Sequence, residues 1–471
     1  MLSCLCRFPS TRFALVATVG ITIILTGCSA DRPGGATGDP TDLRAQRNSL
    51  RKPSPPWPSA PSLPPLADLE LEITPKGRAT FRPTDSGPAP ASKGVPVAIL
   101  LPLSGPRGEL GKAMLDAAQL AVFEVAGQNF ILLPYDTKGT PEGAEEAAAR
   151  AMGRGAKLVL GPLLADSVAK VAPQTRISDI NVVAFSNSKR VAGNGVYVLG
   201  FAPDQQVDAI VDYAAGQGLV SYGVGAPSNG YGEQVVDALY QSAERRGAVV
   251  TRTAYYDPSA TDFSEQIRAL TDYDLRREAL LQQMAELEGK QDEVSLQALA
   301  KLETMDTIGD APFDAVILPD SGQNLRTLAA LLNFYDVEQP AVRILGLRAW
   351  DETPEIAAEQ AVQGAWFAAP PIEERKKFDI RFKAAFGYTP PRLASLSYDA
   401  TAMAALLAQS PSATDFSASA LTDANGFRGV DGIFRLRADG IVERAYAIHE
   451  VTPDGYRTIQ PAEDSFQIPI N

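Results

Sequence analysis

From Val95 onward, short apolar runs alternate with small-residue turns and stretches of helical periodicity. Val97-Ala-Ile-Leu-Leu101 runs into Pro102-Leu-Ser-Gly105, and a helix follows near Gly111 to Val125, with Met114, Ala118, Ala121 and Val125 on one stripe. Phe130 to Tyr135 meets Asp136-Thr137, after which Thr140 and Pro141 have the residue types that open a helix. Lys157 to Leu160 leads to Gly161-Pro162, and Val182 to Phe185 leads to Ser186-Asn187-Ser188. A second series repeats the pattern. Ser221 to Ala226 precedes Pro227-Ser-Asn-Gly-Tyr-Gly232 and a helix to about Arg246, and Ala248 to Tyr256 reads as a strand. Ala315 to Pro319 meets Asp320-Ser321 and a helix to Tyr335, while Arg343 to Leu347 meets Arg348-Ala-Trp350. Strand, turn and helix in this order predict an α/β fold with parallel sheets. Two such series predict two lobes, with the turns of each gathered at the strand ends that face a cleft.

The N-terminus has a different pattern. Arg7 and Arg12 precede an uncharged apolar run from Phe13 to Leu25, which ends in Leu25-Thr26-Gly27-Cys28. About 13 apolar residues fall short of the ~20 that span a bilayer. The tetrad resembles the lipobox of bacterial lipoproteins, which predicts a signal peptide over 1–27 and acylation of Cys28, with the rest of the chain facing a non-cytosolic compartment. From Ser29 to about Gly94 the composition turns to Pro, Ser, Ala, Arg and Asp. Such a segment has too little apolar material for a core and predicts a disordered, partly polyproline tether over 28–94.

Charge and composition narrow the function. A net charge of −13 and a pI near 4.8 argue against a nucleic-acid partner. Of three cysteines, Cys4 and Cys6 lie in the segment to be removed and Cys28 is the acyl acceptor. His449 is the one histidine, in a strand-like run from Ala445 to Glu450. Cys/His nucleophilic pairs and His-rich metal sites are therefore excluded, and no motif marks a catalytic residue, a metal or a cofactor.

The ordered set Leu-Pro-Leu-Ser-Gly, Tyr-Asp-Thr, Leu-Gly-Pro, Phe-Ser-Asn-Ser, Asn229-Gly-Tyr-Gly-Glu233 and Ser397-Tyr-Asp-Ala400 resembles the type I periplasmic binding proteins of the leucine-binding class. The resemblance implies a domain of two Rossmann-like lobes over 95–471, joined by three crossovers and closing like a hinge. Lobe one is expected at about 95–203 and 369–429, and lobe two at about 204–368 and 430–471. Within that class the chain is most similar to the penicillin-binding protein activator family, lipoproteins that stimulate peptidoglycan synthases. The lipobox with its long tether carries this likeness, as do Phe313 to Gly322 with Leu325 to Tyr335 after it. A charged helical insertion near 273–309 completes it, with Leu280, Met284 and Leu287, then Leu296, Leu299 and Leu302, at helical spacing. That insertion reads either as a hairpin packed on its own lobe or as a partner surface.

The resemblance also implies a cleft. An amino-acid binder needs hydroxyls and N–H groups for the carboxylate and an acid for the ammonium. Ser186 and Ser188 match the first need, Asp320 the second, and Tyr231 is placed to close over a ligand. Ser104, Gly161, Leu163, Asn187 and Ser321 complete the candidate set. Each has an ordinary reading as well: Asp320 or Ser321 as a helix cap, Ser186 and Ser188 as turn formers, Tyr231 as packing. Gly161-Pro-Leu-Leu164 lacks the hydroxyls usual there, a departure that weakens amino-acid specificity. The expected partners are a penicillin-binding protein and, through Cys28, a lipid bilayer, with room for a small-molecule ligand. Solute capture for an amino-acid transporter is the alternative function. Ser29 after the cysteine resembles the sorting pattern for the inner leaflet of the outer membrane.

Overall fold

The structure, a computed structural model, describes residues 94–352, 354–409 and 415–466. Cys28 and the tether expected before Gly94 lie outside the described residues.

A parallel strand covered on both faces must be apolar at every position, and in β1 (Val95–Leu101) Val97 to Leu101 are all fully buried. α1 (Gly108–Val125), β2 (Phe130–Asp136), α2 (Pro141–Gly153), β3 (Leu158–Leu160), α3 (Ala165–Ile177), β4 (Val182–Ala184) and β5 (Val196–Val198) follow. The five strands are parallel, in the order β2-β1-β3-β4-β5. Thr140 caps α2 as expected, its Oγ1 accepting from the Gly143 N–H at 3.0 Å.

α4 (Pro203–Gly216) carries the chain into a second unit of β6 (Ser221–Pro227), α5 (Gly230–Arg245), β7 (Val249–Tyr256) and α6 (Ser264–Leu270). After two insertion helices, α7 (Tyr273–Leu287) and α8 (Glu293–Leu302), come β8 (Ala315–Ile317), α9 (Gly322–Phe334), β9 (Arg343–Gly346) and β10 (Trp366–Ala369). Their order β7-β6-β8-β9-β10 repeats the winding of the first sheet. In both sheets the order reverses beside the first strand of the unit, where doubly wound folds open a crevice at the carboxyl ends of the strands. Each of the two helices that follow these first strands carries a glycine against the preceding turn. A Cβ on Gly111 would stand 2.0 Å from Pro102 O, and one on Gly232 would stand 1.9 Å from Pro227 O. Only glycine lets those helix starts seat so close to the sheet edge.

α10 (Ile372–Phe386) and α11 (Ala394–Ala408) return to the first unit and pack on α1, with Phe378, Phe382 and Tyr398 against Ala117 and Ala121. α12 (Ala418–Leu421) leads to a small antiparallel sheet of β11 (Phe427–Gly429), β12 (Gly432–Leu436) and β13 (Val442–Arg444). The expected boundary of lobe one at 429 is corrected here. Phe434, Leu436 and Val442 share the core of Leu199 and Leu396, and the Val198 N–H donates to Gly440 O at 2.8 Å, so 430–444 stay with lobe one. β14 (Ala447–Thr452) and β15 (Gly455–Gln460) then extend the second sheet antiparallel beside β10. His449 is fully buried in β14, with Nε2 3.3 Å from Pro370 O and Nδ1 3.1 Å from Thr458 Oγ1. Its role is structural. Among the described residues no helix is long and apolar enough to cross a membrane.

The insertion forms a helical arm, as its periodicity predicts. Leu280 and Leu302 are buried and Met284, Leu287 and Leu299 half-buried, but Leu296, assigned to the same stripe, is exposed along with Leu281 and Val294. The arm is held at its base by Arg276, whose buried guanidinium donates to the carbonyls of Gly309 (3.4 Å), Tyr335 (3.4 Å) and Asp336 (2.9 Å) and pairs with Asp336 Oδ2 at 3.3 Å. Arg276→Met should lower the stability measured in urea by about 2–3 kcal/mol, since these carbonyls lose charged donors. It should also speed proteolytic cleavage near Gly289. Unchanged stability and cleavage would show that the arm is held by packing alone.

Candidate functional site

Three crossovers join the lobes, near 199–203, 369–372 and 444–447, and a cavity of about 270 Å³ opens beside the first of them. Leu163, after β3, and Phe185, Ser186 and Asn187, after β4, form one wall. Gly200 and Phe201, after β5, form the floor, and Leu110, Leu393 and Leu396 come from the helices of lobe one. Arg107, at the start of α1, and Arg348, from lobe two, supply its charge. The guanidinium of Arg348 lies 4.5 Å from the centroid of the Phe201 ring and pairs with Glu352 at 2.6 Å, while the backbone N–H of Arg348 donates to Gln206 Oε1 at 3.0 Å.

Behind this cavity the lobes are tied by buried charge. Arg392 of lobe one pairs with Asp431 at 2.5 Å and reaches across to Asp351 of lobe two at 3.2 Å, and all three side chains are nearly inaccessible. Asp431 also accepts from the Ser395 hydroxyl at 2.5 Å. Burial would push the Asp431 carboxyl up, yet Arg392, Arg375 and Arg444 together hold it below its ordinary value.

Asp399 is shifted the other way. Burial, and after it the charge of Asp431, push its carboxyl up to about 7, against the opposing pull of Arg444 and the Val430 N–H. The Arg444 pairing is loose at 4.0 Å. An acid whose folded value is raised binds more protons folded than unfolded, so stability should rise as pH falls from about 7 toward the unfolded value of ~3.9. Asp399→Asn, whose oxygen can still accept from the Val430 N–H, should flatten that dependence. A variant with the same slope as the parent across this window would assign the titration to another group.

The expected site residues divide. Leu163, Ser186 and Asn187 line the cavity; Ser104, Gly161, Ser188, Tyr231, Asp320 and Ser321 do not. The Ser104 hydroxyl donates to Asp136 Oδ2 at 2.6 Å. With the N–H groups of Lys138, Ser104 and Leu103 it outweighs burial and holds the Asp136 carboxyl below its ordinary value. Gly161 has a φ of +81°, and its Cα faces Leu100 O, 2.4 Å from where a Cβ would stand, so its role is close backbone packing. Ser188 donates its N–H to Ser186 Oγ at 3.1 Å.

Asp320 is committed inside the protein. The Tyr256 hydroxyl (2.8 Å) and the Asn324 amide (3.1 Å) donate to its Oδ2, and the Ser321 N–H donates to Oδ1 at 2.8 Å. It orders the start of α9, and the acid sought for an ammonium group is occupied. Tyr231 stands in the second lobe near Arg348, its phenol pushed up to about 12 by burial, with Arg348 lowering it and Asp320 and Glu352 adding to the rise. Arg107, Phe201 and Arg348 were not among the expected residues. The apolar run Val196-Tyr-Val-Leu-Gly-Phe201 is the signal for a fifth strand ending at the cavity, and Arg348 follows β9 as Ser186 follows β4.

Paired doubly wound lobes, three crossovers and a cavity at the strand ends define a hinged, two-lobed binding protein. The chain belongs to the periplasmic binding protein family, whose sequence profile matches residues 94–456. A putative branched-chain amino acid ABC transporter protein of Rhodospirillum rubrum has a similar solved structure, with a TM-score of 0.61 at 16% identity over 78% of this chain and 100% of that one. A protein of uncharacterized function from Rickettsia prowazekii is 22% identical over 180 residues, 38% of this chain and 48% of that protein. A penicillin-binding protein activator of Glaesserella parasuis is 28% identical over 166 residues, 34% of this chain and 27% of that protein. The matches thus span about half or less of these curated relatives.

Proposed function

We propose that the chain is a lipid-anchored, non-enzymatic periplasmic protein that activates peptidoglycan synthases. The carrying observation is that Asp320, the acid expected for an ammonium group, is spent on Tyr256, Asn324 and the Ser321 N–H, and the Ser104 hydroxyl on Asp136. A cleft built for amino-acid capture would hold such groups free for the ligand. The lipobox at Cys28 and the long Pro-rich stretch support an anchored regulator placed in the outer membrane. The stretch shared with the penicillin-binding protein activator supports the same partner class, and the arm, with Leu281, Val294 and Leu296 exposed, offers it a surface. Solute capture for a transporter is the second reading, favoured by the cavity between Phe201 and Arg348. Affinity capture of the membrane-anchored protein separates the two: a penicillin-binding protein should co-purify, and recovery of a permease in its place would favour capture.

A further inference from the structure

The chain runs on after its second sheet is complete. β15 ends at Gln460, which pairs with Ile448 of β14, and both strands belong to lobe two. Phe466, a short way further along, lies on lobe one. Its ring centroid is 4.6 Å from the Arg435 guanidinium, and its Cε2 stands 3.0 Å from where a Cβ on Gly426 would be. On the way there Asp464 Oδ1 comes within 3.7 Å of Arg428 Nη1, again on lobe one. Residues 461–466 therefore cross from one lobe to the other, and they do so beyond residue 456, where the match to the family ends.

The surface that receives Phe466 is fixed by lobe one alone. Arg435, on β12, is held by Glu443 of β13 through two parallel bonds, Nε to Oε2 at 2.9 Å and Nη2 to Oε1 at 3.0 Å, and its Nη1 donates to Ala424 O at 3.2 Å. Its donors are committed along the edge of the guanidinium, and the face is left for an aromatic ring. Gly426, at φ +69°, keeps the space beside it clear of any side chain. The rest of the segment is lightly held. Pro461, Glu463, Asp464 and Ser465 are exposed, and an exposed pair such as Arg428 with Asp464 contributes little in water. A tail also differs from the three crossovers in that it can leave lobe one while the β14–β15 ladder stays intact. Phe466 on Arg435 is thus a contact that can open by itself, with the fold preserved.

We propose that residues 461–466 form a strap that restrains movement of the two lobes, latched by Phe466 on the Arg435 guanidinium, and that parting of the lobes requires release of this ring. The inference concerns the hinge and is independent of the synthase reading.

Native-state hydrogen exchange of the full chain, purified in detergent and followed by mass spectrometry, tests it. The reporter is the backbone N–H of Arg444, which donates across the junction to the Gln205 side chain of lobe two, at 3.0 Å from Oε1. That bond opens when the lobes part, and the exchange rate then follows the opening equilibrium. Phe466→Ala should raise exchange of the peptide that contains Arg444 by about fivefold or more, the combined loss of a cation–π contact and a half-buried ring. Exchange in β1 and β8, inside the two lobes, should stay at the parent rate. Deletion of 461–471 should match Phe466→Ala, and Phe466→Tyr, which keeps a ring on the guanidinium, should match the parent. Parent-like exchange at Arg444 in both Phe466→Ala and the deletion would overturn the proposal. So would Phe466→Tyr exchanging as fast as Phe466→Ala, or an equal rise in β1 and β8, which would give the tail a role in global stability alone. None of these outcomes bears on synthase stimulation, which is measured separately.

Discussion

Replacing Arg392 with methionine should destabilise the protein by about 3–5 kcal/mol, the largest loss expected from any single side chain at the lobe junction. Methionine keeps the apolar stem near Phe201, whose ring centroid lies 5.6 Å from the guanidinium, so the change removes charge and hydrogen bonding more than volume. It strands two carboxylates. Asp431 is fully buried and loses its ion-pair partner, keeping the Ser395 hydroxyl and the charges of Arg375 and Arg444, while Asp351 loses the partner that ties lobe two to lobe one. Arg392→Lys should recover only part of the loss, because a single ammonium cannot fork between Asp431 and Asp351 as the guanidinium does. Adding Asp351→Asn to Arg392→Met should restore some stability by removing one of the unpaired charges. Urea unfolding measures all three. An Arg392→Met variant within about 1 kcal/mol of the parent would place this network among pairs that packing can replace.

The second large effect concerns reach. On the proposed reading of Ser29 to Gly94 as a tether, a flexible chain of 66 residues would have a root-mean-square span of only ~40–50 Å, and Pro enrichment would extend the range further. An outer-membrane anchor needs that range to bring the lobes to a synthase in the inner membrane. Effective concentration falls to nearly nothing once a linker cannot bridge the gap. Deleting Arg44 to Arg82 should therefore abolish stimulation in cells, and Cys28→Ala should remove acyl labelling and leave a larger precursor. A shortened protein that is folded, outer-membrane located and fully active in cells would remove reach from the account.

The two parallel sheets were legible in the sequence because β1, β3, β4 and β8 are apolar and mostly buried, as is β6 after Ser221. The start of α2 was legible from Thr140, whose side chain caps it, whereas the cap that Asn229 supplies to α5 emerged with the structure. The return at 430–444 was not, since β12 and β13 are short antiparallel strands that could face either core. What decides their side is a long-range pairing of Val198 with Ile441. The cavity was legible only in part. Ser186 and Leu163 announce themselves by following strands, but a serine after a strand looks the same whether it faces a ligand or, like Ser104, donates to a neighbouring aspartate. Asp320 sits where a ligand acid would sit and is consumed by Tyr256, which lies 64 positions away in the chain. Arg348 was visible as a strand-end residue, yet only its packing on Phe201 places it in the cavity.

The central claim, activation of a peptidoglycan synthase, is tested most directly by adding the purified chain from Ser29 onward to a purified bifunctional penicillin-binding protein and following glycan polymerisation and cross-linking. A saturable rise in rate with increasing protein is the predicted result. A rate that stays flat at saturating concentrations of a folded chain would contradict the account.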